Sequence, residues 1–150
     1  MFYFIKNKIY LNKENSVTMM IQIPTKIYIS QSTIHGLGVF AKEIINEGEV
    51  IEECPILTLP IKKGESSSLL IDYRFNWPQG TEPEEQVVSW GYGSLYNHSN
   101  NANAYWVSDL NKRTFIFIAN RTILPNEEIC VWYGDTTYWE DGRGGIEVID

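Results

Sequence analysis

The residues that could do chemistry fall in a few short blocks: Gly36-Leu37-Gly38 after His35, Asn97-His98-Ser99, the acid pair Glu127-Glu128, and Tyr133-Gly134. Two glycines around one residue let backbone amides approach a ligand, so Gly36 to Gly38 could cradle a phosphate or a cofactor. The third glycine and following helix of a dinucleotide fingerprint are missing, and by itself the step reads as a turn. Asn97-His98-Ser99 and Asn120-Arg121-Thr122 fit the glycosylation acceptor pattern, but no secretory signal precedes them. Nor does His98 beside Ser99 make a hydrolase, because neighbours on an extended chain point apart and a nucleophile elbow is absent. The cysteines, Cys54 and Cys130, share no chelating spacing with His35 or His98. No metal is therefore expected.

Taken in order, the blocks become specific. His35-Gly-Leu-Gly-Val-Phe-Ala41, then Asn97-His-Ser99 with Asn103 beyond it, then Asn126-Glu-Glu-Ile129 and Tyr133-Gly134, resemble the signature blocks of the SET-domain protein-lysine methyltransferases. The resemblance spans about residues 24–139 and is nearest to the minimal SET proteins of viruses and bacteria. It implies a mainly β fold, the SET β-clip, in which small curved sheets surround a C-terminal pseudoknot, a rare threaded chain.

It also implies the chemistry, transfer of a methyl group from S-adenosylmethionine to the ε-amine of a protein lysine. Tyr133 would be the catalytic tyrosine, its hydroxyl where target amine and cofactor methyl meet. Gly36, Leu37 and Gly38 would wrap the cofactor, and Asn97 and His98 would bind it through backbone groups and the Asn side chain. Trp139, with Tyr138, would close the pocket in place of the zinc segments of larger members. Tyr73, Tyr92 and Tyr105 are expected on the substrate side, with Trp106 and Val131 as further candidates for limiting the number of methyl groups added. Glu127 and Glu128 are expected to be structural. Three positions depart from the pattern: Asn100 stands where Cys is common, Asn126 where Gly is usual, and Trp132 where Asp is common.

Such a transfer needs amine, methyl and sulfur in line at ~3–3.5 Å with water excluded. The lysine must be neutral although its free pKa is ~10.4, and a narrow apolar channel beside a cationic cofactor favours that form. Aromatic walls suit the task because they are rigid and attract cationic charge through their faces. The aromatic content of 13%, with Trp77, Trp90, Trp106, Trp132 and Trp139 all in the second half, agrees with this demand.

The elements that must hold these blocks read as short strands. Lys26 to Ser30 alternates, Gly36 to Phe40 supplies a second strand, and Glu49 to Leu59 a third, interrupted at Pro55. Leu69 to Ile71 is expected to form one helical turn. Tyr105 to Ser108 and Thr114 to Ala119 form a hairpin through Asp109 to Arg113, and Glu128 to Tyr133 is the last strand. Helical periodicity is not sustained over three turns anywhere. The expected organisation is an N-terminal extension over 1–20, a SET domain over 21–139 and an acidic tail over 140–150.

At 150 residues the chain is long enough for one domain with its own core. Its net charge is −7, and between Arg74 and Lys112 it has no Lys or Arg while holding Glu82, Glu84, Glu85 and Asp109. A nucleic-acid binder would carry the opposite sign, so the expected partner is a basic protein or peptide such as a histone-like tail, added as a strand beside the segment before Asn97. No stretch approaches the ~20 apolar residues of a membrane span, and an intracellular protein is expected, cytoplasmic or in a host nucleus if viral. Without flanking segments, exposed apolar surface suggests a homodimer. The rival to an enzyme is a non-catalytic SET-like module that binds a basic peptide; Tyr133, Asn97 and His98 all remain, which favours the enzyme.

Overall fold

The computed structural model describes residues 20–59, 73–79 and 85–134. Among the described residues, nine strands form one hydrogen-bonded sheet: β1 (Ile27–Gln31), β2 (Leu37–Ala41), β3 (Val50–Leu59), β4 (Arg74–Trp77), β5 (Glu85–Ser89), β6 (Asn97–His98), β7 (Ala104–Asp109), β8 (Thr114–Ala119) and β9 (Glu128–Val131). A 3-10 turn spans Gly93–Leu95. The strand order is β1-β2-β9-β7-β8-β3-β5-β4, with β6 also on β9. This is the mainly β fold with almost no helix that the sequence leads one to expect.

Local chemistry explains most of the strands. β8 alternates, with Phe115, Phe117 and Ala119 buried and Ile116 and Ile118 between them half-buried. Its antiparallel partner β7 is in register from Ala104↔Ala119 to Asp109↔Thr114. The turn between them is tied by the Asp109 carboxylate, which accepts from the N–H groups of Asn111 and Lys112 at 3.0 Å each.

At Pro55 the structure corrects the sequence reading. β3 is not interrupted there but runs unbroken from Val50 to Leu59. The reason is a change of partner: β3 pairs with β8 up to Pro55↔Thr114 and with β5 from Ile56↔Ser89 onward. A residue without an N–H is tolerated where one ladder ends and the next begins, and the Pro55 carbonyl still accepts from Trp90 N–H at 2.9 Å. The expected helical turn at Leu69 to Ile71 lies outside the described residues.

The late strand β9 enters between early and middle chain. It is antiparallel to β2 and parallel to both β6 and β7. It brings the Asn126-Glu-Glu-Ile129 block beside the glycine block and the Asn-His block, which lie far from it in sequence. The core under this junction includes Val39, Tyr96, Phe117, Ile129 and Val131, each 1% exposed or less.

Candidate active site

The glycine block runs from the end of the β1–β2 turn into β2, and the turn is closed by Ser32 N–H to the Gly36 carbonyl at 2.9 Å. Ser32 Oγ accepts from Ile34 N–H at 2.8 Å and donates to the Glu128 carboxylate at 2.9 Å. Asn97, on β6, reaches into the same turn: its Nδ2 lies 3.1 Å from the His35 carbonyl, 3.2 Å from the Leu37 carbonyl and 2.8 Å from Glu128 Oε1. An amide nitrogen has two N–H groups, so these acceptors already saturate it. The structure thus commits the Asn97 amide nitrogen to holding the loop, where the sequence reading gave that side chain a share in gripping the cofactor. A side chain at Gly38 would force the Glu128 carboxylate to shift, since a Cβ there would stand 2.2 Å from Glu128 Oε1 and 3.2 Å from Asn97 Nδ2.

The second acid of the pair serves the neighbouring turn. Glu127 accepts from Leu124 N–H at 2.9 Å, from Asn103 Nδ2 at 3.1 Å and from the Arg121 guanidinium. Hydrogen bonding to Arg121 holds its carboxyl below the usual carboxylate range. In this turn Glu127 N–H donates to the Leu124 carbonyl at 3.1 Å and Asn126 sits at φ 65°. That left-handed position favours Gly and tolerates Asn, which accounts for the departure at Asn126.

Next, β9 delivers Tyr133 to His98. The Tyr133 N–H donates to His98 Nδ1 at 3.0 Å, and the two rings lie 5.5 Å apart. An Nδ1 that accepts is unprotonated, so Nε2 carries the hydrogen and faces Asn100 Oδ1 at 3.3 Å. The departure at Asn100 therefore places an acceptor where this tautomer needs one. Burial lowers the His98 pKa, with the Asn100 hydrogen bond opposing it. The Tyr133 hydroxyl donates to the Tyr96 carbonyl at 2.5 Å.

The other tyrosines separate. Tyr92 is half-buried and packs on the core at the head of the 3-10 turn. Tyr73 is 45% exposed, and its carbonyl accepts from Ser94 Oγ at 3.4 Å, which puts its backbone beside that turn. Tyr105 lies on the outer face of β7, opposite Ile118 and 43% exposed, one residue after the Ala104↔Val131 pair that joins β7 to β9. Trp106 faces inward instead, edge-on to Phe75 at 5.6 Å and 6.2 Å from Phe117. Trp139, like Tyr138, lies outside the described residues. The sequence reading missed Glu52, which lies 5% exposed beneath Tyr92 and Tyr96. No motif marks it, since Tyr92 and Tyr96, which it binds, are forty and more residues away.

A glycine turn, an Asn-His strand and a tyrosine hydroxyl, distant in sequence and gathered at one corner of a β-clip, form the arrangement of the methyltransferase class that the sequence resembles. The comparisons with known proteins agree. The family profile for the SET domain matches residues 36–134. A relative from Schizosaccharomyces pombe, named histone-lysine N-methyltransferase, H3 lysine-37 specific, is 32% identical over 122 residues, covering 79% of this chain and 80% of its own. A crystal structure from Plasmodium falciparum, of a protein provisionally named a histone methyltransferase, superposes with TM-score 0.62 at 36% identity, covering 75% of this chain and 96% of that one. The chain belongs to the SET-domain family, and the family match together with the name of the Schizosaccharomyces pombe relative bears out the protein-lysine methyltransferase expected from the sequence.

Proposed function

We propose that this protein transfers a methyl group from S-adenosylmethionine to the ε-amine of a lysine in a basic protein, with a histone-like tail as the substrate class. The observation that carries this reading is the Tyr133 hydroxyl bound to the Tyr96 carbonyl, next to the corner where the glycine turn and the Asn97-His98 strand meet. When bound, the cofactor supplies an electrophilic methyl on a sulfonium. The residues present fit it. The turn is anchored from beneath by Asn97, Ser32 and Glu128, while Gly36, at φ 50°, has nothing within 4 Å of where a Cβ would stand. A cationic nucleoside can therefore approach the exposed backbone at Gly36 and Leu37, beside the half-buried His98.

With the Tyr133 hydroxyl donating its hydrogen bond to the Tyr96 carbonyl, the phenol oxygen's lone pairs and the carbonyl's second lone pair are acceptors for the N–H groups of an incoming amine. They orient its lone pair and stabilise the charge that grows on nitrogen. The half-buried Tyr133 ring favours the neutral amine beside it, and the lysine loses its proton to solvent before transfer. The acidic interval between Arg74 and Lys112 supports a basic partner, as does the histone substrate in the name of the Schizosaccharomyces pombe relative. Calorimetry with S-adenosylmethionine tests the cofactor assignment. Saturable binding that survives a chelator is expected, and absence of binding would remove the cofactor and the reaction together.

A further inference from the structure

Glu52 is a buried carboxyl that none of the signature blocks uses. It stands on β3 where the register with β8 shifts between Val50 and Glu52. Its Oε1 accepts the Tyr92 N–H at 2.9 Å, and its Oε2 accepts the Tyr96 hydroxyl at 3.0 Å. The seat is shaped around it: a Cβ on Gly91 would stand 2.3 Å from Oε1, and Gly91 also adopts φ 71°, where side chains are strained. Burial pushes the Glu52 pKa up, while the Tyr92, Cys54 and Tyr96 hydrogen bonds pull it down. A carboxyl kept in so poor a place for charge, with both oxygens spent on one turn, holds that turn in one geometry.

We propose that Glu52 is a positioning residue for methyl transfer: it ties both ends of the Tyr92–Tyr96 turn and so fixes the Tyr96 carbonyl that receives the Tyr133 hydroxyl. The inference rests on the proposed function and deepens it. Glu52 touches neither Tyr133 nor the glycine turn in any contact described above. Its effect runs through Tyr96, whose ring is clamped on Phe117 at 4.6 Å, so a shift of the phenol is passed to the backbone carbonyl.

The test uses Glu52→Gln, Tyr96→Phe and the double variant, comparing kcat, KM, cofactor affinity and melting with the parent. Gln keeps an acceptor for the Tyr92 N–H, but its amide nitrogen cannot accept the Tyr96 hydroxyl. Tyr96→Phe keeps the ring on Phe117 and removes only the donor. Each single variant is expected to lower kcat roughly tenfold, about one lost hydrogen bond to a charged group. Cofactor affinity should stay within about twofold, and the double variant should be no slower than the worse single. Parental kcat in either folded single variant, or losses that multiply in the double, would overturn the inference. Should Glu52→Gln fail to fold, Tyr96→Phe decides by itself. An inactive parent protein would instead overturn the proposed function, and this inference with it.

Discussion

His98 shows how one side chain can link protonation to the geometry of Tyr133. Its Nδ1 accepts the Tyr133 N–H only while unprotonated, and burial lowers its pKa. The unfolded chain therefore takes up a proton first as pH falls. The stability this adds is whole above the ordinary histidine value of about 6.5 and is lost as pH falls from there through the lowered folded pKa. In His98→Asn, Oδ1 stands near the position of Nδ1 and does not titrate. Melting curves from neutral to mildly acid pH should drop more steeply for the parent than for the variant, and parallel curves would show that His98 does not titrate across folding. The pairing of His98 with Tyr133 could not be read from the sequence. It depends on β9 lying parallel to β6, a contact between segments 35 residues apart.

At the scale of elements, the β1–β2 turn is set by what lies beneath it. Gly36→Ala meets no atom within 4 Å and suffers only its left-handed φ of 50°, a cost of ~1–2 kcal/mol. Gly38→Ala drives a Cβ to 2.2 Å from Glu128 Oε1 and displaces the carboxylate from Ser32 and Asn97. Loss of those hydrogen bonds to a charged acceptor adds ~1.5–3 kcal/mol each. Gly38→Ala should therefore melt lower than Gly36→Ala and bind the cofactor more weakly, as thermal melts and calorimetry would read. Equal melting of the two variants would dissociate the Glu128 seat from the loop. Elements were legible where a period had room to repeat. The β7–β8 hairpin shows its alternation over six residues per strand, whereas β4 and β6, with four and two residues, are too short to carry one. In β7, Tyr105 and Trp106 are adjacent, and only strand alternation tells which of them turns inward.

For the whole molecule, the net charge of −7 and the cation-free interval between Arg74 and Lys112 set the expected dependence on salt. A basic peptide meeting this surface is screened over ~8–10 Å at physiological ionic strength, so its KM should rise steadily with added salt while cofactor affinity changes little. A salt-independent KM would place the acidic residues away from the peptide. The charge sign and the ordered blocks were legible because they are properties of composition and spacing. The union of three distant blocks at one corner depends on β9 inserting beside β2 and β6, and no local pattern carries that insertion. The central claim is that this corner transfers a methyl group to lysine with Tyr133 at its centre. It is tested most directly by incubating parent and Tyr133→Phe proteins with S-adenosylmethionine and a basic histone-like peptide, and following the product by mass spectrometry. The account predicts methylated lysine with the parent and a loss of ~10²–10³ in kcat for Tyr133→Phe, with melting and cofactor affinity near those of the parent. A folded, cofactor-binding Tyr133→Phe protein that methylates at the parent rate, or a parent that binds the cofactor and yields no methylated lysine, would contradict it.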